Sequence, residues 1–240
     1  MRTEARIDNP QGRARLLLVC CHASRHVPEG FAGLGLSEAV LADHCAWDIG
    51  ALDLARRLAA KLDAPLVSAP VSRLLVDPNR ALDAPDLIAE EAEGQPVPGN
   101  LGLSADEIEA RLDAYHAPYH EAIDSLLDRR DDIQALVSVH SFTPVMNGAA
   151  RPWHVGVLHE ADTRLADRLI AALGAHAELS VGRNQPYAPT DGVYYTLERH
   201  GAGRMTAMIE VRNDQLADEG GQDRWAKLLA DALGAAVPVE

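Results

Sequence analysis

Short apolar runs alternate along the chain with longer stretches in which apolar side chains recur every three or four residues. Runs of the first kind are typical of strands buried on both faces, and stretches of the second kind are typical of helices that cover a sheet. The predicted strands are residues 15–21, 65–68, 135–140, 153–158, 179–181 and 205–211. The predicted helices are residues 37–62, with a break near 47–50, and residues 104–130, 163–173, 190–200 and 222–233. This alternation predicts an α/β fold with a mostly parallel sheet covered on both faces, in a single domain over residues 1–240.

Three connecting segments carry signals of their own. Residues 83–102 are rich in proline, glycine and acidic side chains, which predicts a mobile loop. Ser104 is followed three residues later by Glu107, the pattern of a capping box, so the helix after this loop should begin there. Residues 72–76 could either extend the second strand or form another one.

The amino-acid composition is sufficient for one hydrophobic core, and the net charge limits the kinds of molecule that the protein should bind. Apolar residues make up 47% of the 240 residues and aromatic residues only 4%, so aliphatic side chains must supply most of the packing. The formal net charge is -14, and a field of this sign repels nucleic acid and anionic membranes. A local group of arginines could still bind a small anionic substrate.

The cysteines and the start of the chain indicate the compartment. Cys20, Cys21 and Cys45 are odd in number and form no CxxC pair, so we expect neither a disulfide framework nor a structural zinc site. Free thiols fit a reducing cytosol. Residues 1–15 lack the apolar core of a signal peptide, and no apolar run is long enough to cross a bilayer. We therefore expect a cytoplasmic protein.

Two histidines follow apolar runs at the predicted carboxyl ends of strands, where open α/β sheets build their sites. A single histidine there is more often a hydrogen-bonded structural residue, but His22 and His140 together raise the possibility of a metal, with hydrolytic zinc the first choice. A catalytic zinc needs a third protein ligand, and Asp48 is the preferred candidate. Asp48 could instead cap a helix, and His26 and His44 are alternative ligands.

A second pair of histidines, His116 and His120, lies four residues apart on a predicted helix. This spacing can chelate a metal. We expect these side chains to line a solvated or cleft-facing side of the helix instead.

A glutamate and three polar residues complete the candidate chemistry. Glu210 lies inside an apolar strand, where a carboxylate must be paired, for example with Arg212, or must act as a general base. Arg73, Asn79 and Arg80 bracket a short apolar segment, and arginines can bind a carboxylate or stabilise an oxyanion. The alternative for these arginines is surface salt bridging, and Asp77 could hold one of them in place.

Five motifs in the same order resemble the N-formylglutamate amidohydrolase family, over residues 15–235. They are His22-Ala23-Ser24 with Val27-Pro28, Trp47-Asp48, Ser72-Arg73 through Asp77-Pro78-Asn79-Arg80, His140-Ser141-Phe142-Thr143-Pro144, and Glu210-Val211-Arg212-Asn213-Asp214. The family is similar in fold to zinc carboxypeptidases and aspartoacylases, so the resemblance implies a three-layer α/β/α sandwich with a mixed sheet. It also implies a metal-dependent hydrolase of a carbon–nitrogen bond other than a peptide bond.

The resemblance also implies roles for individual residues. His22 and His140 would be zinc ligands, Glu210 the base, and Arg73 the arginine that polarises the scissile carbonyl. The substrate-binding residues would be Asn79 and Arg80, which resemble a pair that grips a carboxylate, together with Ser141. The fold relatives take another ligand from a glutamate three residues after the first histidine. Arg25 stands there in this chain, so Asp48 is the expected substitute.

The resulting hypothesis is hydrolysis of an N-formyl or N-acyl amino acid, such as N-formyl-L-glutamate, by a zinc-activated water that Glu210 deprotonates. The substrate would be a small anion. The alternatives are hydrolysis of another N-acyl amino acid or of a C-terminal peptide bond, and a metal-free protein that binds a small carboxylate. A thiol hydrolase that uses Cys20 or Cys21 is disfavoured, because no base lies at a motif spacing from them.

Overall fold

The computed structural model describes residues 2–237, and its centre is a sheet of seven strands. In chain order these strands are β1 (Arg6–Asp8), β2 (Leu16–Cys20), β3 (Leu66–Ser68), β4 (Ala135–Phe142), β5 (Val155–Leu158), β6 (Val181–Arg183) and β7 (Met205–Arg212). Their order across the sheet is β1-β3-β2-β4-β7-β5-β6. The four central strands run parallel, β1 is antiparallel to β3, and β5 is antiparallel to β7 but parallel to β6. The predicted mostly parallel, mixed sheet is confirmed.

Helices cover both faces of this sheet. The α-helices of the described residues are α1 (Glu38–Leu41), α2 (Ala51–Leu62), α3 (Ala105–Arg111), α4 (Ala117–Arg129), α5 (Arg164–Gly174), α6 (Tyr195–His200) and α7 (Glu219–Ala236). The apolar sides of α2, α5 and α7 form one core with one face, through residues such as Leu54, Leu169 and Trp225. Ile123 of α4 and Leu197 of α6 belong to a second core on the other face. The α/β/α arrangement that the resemblance implies is therefore present.

The two helical stretches with the most detailed predictions form with interruptions. Residues 37–62 divide into α1 and α2, and Gly50, with φ 79°, precedes α2 in the left-handed region that glycine adopts at little cost. Ser104 and Glu107 form the predicted capping box at the start of α3. One π-helical turn, Leu112–His116, separates α3 from α4. Pro118 follows that turn and has no N–H to donate, which explains why regular α-helical bonding is interrupted nearby.

Three predicted segments differ in detail. Residues 72–76 form a buried turn rather than a strand, since the Ser72 hydroxyl donates to the Ala46 carbonyl and accepts from the backbone of Leu74. The helix expected at 190–200 begins only at Tyr195, because Pro189–Asp191 closes a separate 3-10 turn. The strand expected at 179–181 lies at 181–183.

The expected loop at 83–102 contains a small hairpin, Glu91–Ala92 with Gln95–Pro96, and a 3-10 turn at Pro98–Asn100. Its mobility stays a prediction. The predicted domain limits, residues 1 and 240, lie outside the described residues. In the part of the chain that is described, no helix is both long and apolar enough to cross a bilayer.

Candidate active site

A cavity of about 330 Å³ opens at the edge of the sheet where β2, β4 and β7 reach their carboxyl ends. Its size is that of a site for a small molecule. All the site residues predicted from the sequence contribute to its lining, namely His22, Asp48, Arg73, Asn79, Arg80, His140, Ser141 and Glu210. Stretches that lie far apart in the sequence thus converge on one site.

Strand register explains how three of these side chains meet. His22 comes two residues after the end of β2. His140 lies two residues before the end of β4, slightly earlier than predicted, and is the direct partner of Glu210 on β7. Side chains at paired positions of neighbouring strands point to the same face of the sheet. Glu210 and His140 therefore both face the cavity.

The two histidines are held so that one nitrogen of each faces Asp48. Their ring centroids are 4.9 Å apart. His22 Nε2 lies 2.7 Å from Asp77 Oδ1, and His140 Nε2 lies 2.9 Å from the hydroxyl of Ser138. The Nδ1 atoms lie 3.4 Å and 2.6 Å, respectively, from the two carboxylate oxygens of Asp48. His22 Nδ1 is buried and has no hydrogen-bond partner.

Asp48 does not cap a helix, because Gly50 occupies the N-cap position of α2. The backbone N–H of Ser141 donates to Asp48 Oδ2 over 3.3 Å. Burial opposes ionisation of this carboxyl, but the imidazoles of His22 and His140 hold its pKa well below the usual range. Asp48 is therefore an anionic oxygen donor between two imidazoles.

A buried thiol lies on the other side of the His140 ring. Cys21 Sγ is 3.1 Å from His140 Nε2, and donor atoms of Cys21, His22 and His140 all lie within 4.8 Å of one another. Among residues 2–237 this group could hold a metal ion. Cys21 belongs to the apolar core around Leu17 rather than to the cavity lining. A metal bound through its sulfur would therefore lie in the core.

Glu210 is buried, and among residues 2–237 it has no ion-pair partner. Arg212, the partner that the sequence suggested, pairs with Asp214 at 2.8 Å, and Glu210 Oε2 has no hydrogen bond. Burial raises the pKa of Glu210 to about 7, with a further contribution from the negative charge of Asp48. A carboxyl with this pKa can both accept and release a proton near neutral pH.

Asp77 links an arginine to the first histidine. Its Oδ2 lies 2.9 Å from Arg73 Nη2, as expected for a carboxylate that holds one of the arginines, while its Oδ1 binds His22. Burial alone would raise the pKa of Asp77, but His22 and Arg73 hold it well below the usual range. Arg73 Nη1 is 3.9 Å from Asp48 Oδ1, so this guanidinium lies beside the two histidines.

The predicted substrate-binding residues already make some of their hydrogen bonds within the protein. Asn79 accepts from the backbone N–H of Thr196 and donates one amide hydrogen to the carbonyl of Val193, so one hydrogen remains. Arg80 Nε donates to Asp86, and Nη1 donates to the Gly192 carbonyl. Among residues 2–237, Nη2 of Arg80 has no hydrogen-bond partner. The Ser141 hydroxyl donates to the carbonyl of Ile49, so it can only accept from a ligand.

The remaining histidines do not join this site. His26 is exposed, and His44 lines the cavity but pairs with Glu93 at 2.8 Å. The expectation that His116 and His120 face solvent or a cleft is wrong, since both are buried, with exposures of 2% and 0%. The carbonyl of Pro78 lies 3.0 Å from His120 Nε2, and this hydrogen bond offsets the cost of burying the ring.

Sequence reasoning missed two contributors. Tyr187 lines the cavity, and its hydroxyl lies 3.0 Å from Arg151 Nη1. It lies in an irregular segment that gives no signal of function. Ser138, which holds His140, could have been identified, because residues two apart on a strand point to the same face.

Comparisons with known proteins identify the family of the chain. The family model described as N-formylglutamate amidohydrolase matches residues 14–217. Among solved structures, gene product Atu2144 from Agrobacterium tumefaciens is 40% identical, with 98% of this chain and 94% of that chain covered and a TM-score of 0.94.

More distant similarity in fold extends to N-acetylmuramoyl-L-alanine amidases. An N-acetylmuramoyl-L-alanine amidase from Clostridium difficile 630 is 11% identical, with 93% of this chain and 96% of that chain covered and a TM-score of 0.45. One from Mycobacterium abscessus is also 11% identical, with 92% and 98% covered and a TM-score of 0.47. Both are too distant to inform function, and the search of curated proteins gave no match. On the family model, which spans most of its residues, the chain belongs to the N-formylglutamate amidohydrolase family.

Proposed function

We propose that the protein is a zinc-dependent hydrolase that cleaves the amide of an N-formyl or N-acyl amino acid, such as N-formyl-L-glutamate. The products would be the free amino acid and formate or another carboxylic acid. The observation that carries this proposal is the convergence of two imidazole Nδ1 atoms and the Asp48 carboxylate beside an unpaired, buried Glu210.

The donor atoms are of the types that bind zinc. The Nε2 atoms face Asp77 and Ser138, so the Nδ1 atoms are the ones directed at Asp48. His22 Nδ1 has no hydrogen-bond partner among residues 2–237, and His140 Nδ1 lies 2.6 Å from Asp48 Oδ2. A carboxylate on the distal nitrogen of a metal-binding histidine is a common supporting contact. Two imidazoles and one carboxylate suit catalytic zinc, which keeps a further position open. We assign the metal to His22, Asp48 and His140 rather than to Cys21, because a core site leaves no access for substrate.

The chain's own residues would divide the chemistry. A bound zinc ion would supply Lewis acidity and lower the pKa of water. Glu210 would take a proton from the attacking water and deliver it to the leaving nitrogen. Arg73 would stabilise the negative charge that develops on the carbonyl oxygen.

Substrate orientation would fall to Arg80 and Asn79. The free Nη2 of Arg80 and the second amide hydrogen of Asn79 can donate to the α-carboxylate, which would fix the amide for attack. Such local groups allow a small anion to bind a protein of net charge -14. Nucleic acid and anionic membranes remain disfavoured as partners for the same reason. The free cysteines favour a cytoplasmic location.

The direct test is an assay of the zinc-loaded protein on N-formyl-L-glutamate, on N-acetyl amino acids and on dipeptides. We expect the N-formyl or N-acyl amino acids to be hydrolysed at least about tenfold more efficiently than the dipeptides, since the family model that matches the chain is described as N-formylglutamate amidohydrolase. Faster cleavage of dipeptides would favour the alternative of a C-terminal peptidase. Stoichiometric metal with no hydrolysis of any of these amides would contradict the proposal.

Removal of the Arg80 side chain should weaken binding of substrates that carry a carboxylate. A charge-assisted hydrogen bond contributes about 1.5–3 kcal/mol, so Arg80→Ala should raise KM by about 10- to 100-fold with a smaller effect on kcat. The matched control is the same substrate with its α-carboxylate converted to an amide, for which KM should change little. An equal rise in KM with both substrates would remove Arg80 from carboxylate binding.

A further inference from the structure

A second group of histidines is buried outside the proposed metal site. His116, His120 and His200 have exposures of only 2%, 0% and 4%. The rings of His120 and His200 stack with centroids 5.1 Å apart. Burial of imidazoles is costly unless their nitrogens are hydrogen-bonded, so the contacts of this group should show what holds it in place.

Hydrogen bonds connect His120 and His200 to one backbone carbonyl. His120 Nε2 lies 3.0 Å from the oxygen of Pro78, and a carbonyl can only accept, so this nitrogen carries the proton. Burial, together with His116 and His200, lowers the pKa of His120 to about 2, so the ring stays neutral. Its Nδ1 therefore accepts from His200 Nε2 at 2.8 Å. Asp124 Oδ1, 2.7 Å from His200 Nδ1, is a second acceptor, so His200 makes both contacts only when both of its ring nitrogens carry a proton.

Pro78 lies between residues that have roles in the candidate site. Asp77 before it binds both His22 and Arg73, and Arg80 two residues after it faces the cavity. Proline has no backbone N–H, so the carbonyl oxygen is the only polar backbone atom through which Pro78 can be anchored. The hydroxyl of Thr196 is a more distant second donor to that oxygen, at 3.4 Å.

We propose that His120, oriented by His200, is a positioning residue that sets the segment Asp77–Arg80 through the carbonyl of Pro78. The segment in turn aligns His22 through Asp77 and presents Arg80 to the substrate. This inference rests on the proposed function for its catalytic consequences, whereas its effect on the metal site can be measured without turnover.

Two substitutions of His120 by amide side chains distinguish this positioning role from a purely structural one. The amide nitrogen of glutamine lies near the position of histidine Nε2, so His120→Gln can still donate to Pro78. The amide of asparagine lies near Nδ1, so His120→Asn can reach His200 but not Pro78. Ile123→Val, one turn further along α4 and also fully buried, is the control for a change in packing alone.

The measurements are zinc affinity by chelator competition and the kinetic constants for the best N-acyl amino acid. We expect His120→Asn to lower zinc affinity and kcat/KM by about 10- to 100-fold, with changes in both kcat and KM, as for supporting residues of metal ligands. His120→Gln should stay within about threefold of the parent protein, as should Ile123→Val. Circular dichroism should confirm equal folded fractions.

Equal impairment of the asparagine and glutamine variants at equal folded fraction, or no impairment of either, would overturn the inference. If the asparagine variant does not fold, His200→Asn serves instead, since it keeps a donor near Asp124 but cannot orient His120. It should lower zinc affinity and kcat/KM in the same direction by a smaller factor, because His120 can still donate to Pro78, and the absence of any loss would overturn the inference. If no N-acyl amino acid is hydrolysed, the proposed function fails while the zinc affinities still decide the positioning role.

Discussion

We expect Glu210→Gln to lower kcat by at least about 10³-fold while zinc stays bound. General acid–base catalysis contributes about 10²–10⁴-fold, and glutamine keeps the size of the side chain but cannot accept the proton. Glu210 makes no ion pair that the substitution would break, and its Oε2 has no hydrogen bond. The loss should therefore appear in catalysis rather than in folding. Single-turnover rates and metal content of the same preparation measure both quantities.

A matched control for this substitution is Glu178→Gln, since Glu178 is exposed and does not line the cavity. We expect its kcat to equal that of the parent protein. A Glu210→Gln variant that retains more than about a tenth of the parent kcat would exclude Glu210 as the base. A loss of zinc in that variant would instead assign Glu210 to metal binding.

The second large effect is expected at the metal ligands. Asp48→Ala should lower zinc affinity by more than about 100-fold, beyond the 10- to 100-fold typical of supporting residues, and should abolish hydrolysis. Cys21→Ala should keep stoichiometric zinc, because its sulfur lies on the core side of His140. Zinc content after dialysis, measured for both variants, distinguishes the two donor groups.

The opposite pattern, with zinc lost from Cys21→Ala and kept in Asp48→Ala, would place the metal in the core and contradict the proposed site. A parent protein that takes up no zinc, and gains no activity when zinc is added, would favour the alternative of a metal-free carboxylate-binding protein. Restoration of hydrolysis by zinc after chelation is the result that we expect.

The sequence was most informative where local pattern determines structure. Continuous apolar runs predicted the strands that carry His140 and Glu210, and the position of His22 at the carboxyl end of another predicted strand suggested that it would lie near His140. The capping box of Ser104 with Glu107 depends only on residues close in sequence, and it forms as predicted. Such features are determined by residues close together in the sequence, so they can be predicted without knowledge of tertiary contacts.

Features that depend on distant contacts could not be predicted. His120 appears in the sequence as one half of a helical pair, but its burial depends on Pro78, 42 residues away. Likewise, Asn79 resembles a free substrate-binding residue until Thr196, 117 residues away, occupies its amide oxygen. Residues 72–76 could be interpreted as a strand because three of them are apolar, but those three, Leu74, Leu75 and Val76, pack in a separate core outside the sheet.

The most direct test of the proposed metal site is X-ray diffraction from zinc-loaded crystals, with data collected on both sides of the zinc absorption edge. We expect an anomalous peak within about 2.0–2.2 Å of Nδ1 of His22, Nδ1 of His140 and an Asp48 carboxylate oxygen, with Glu210 nearby. A peak bonded to Cys21 Sγ and His140 Nε2, or no peak at either position, would contradict it.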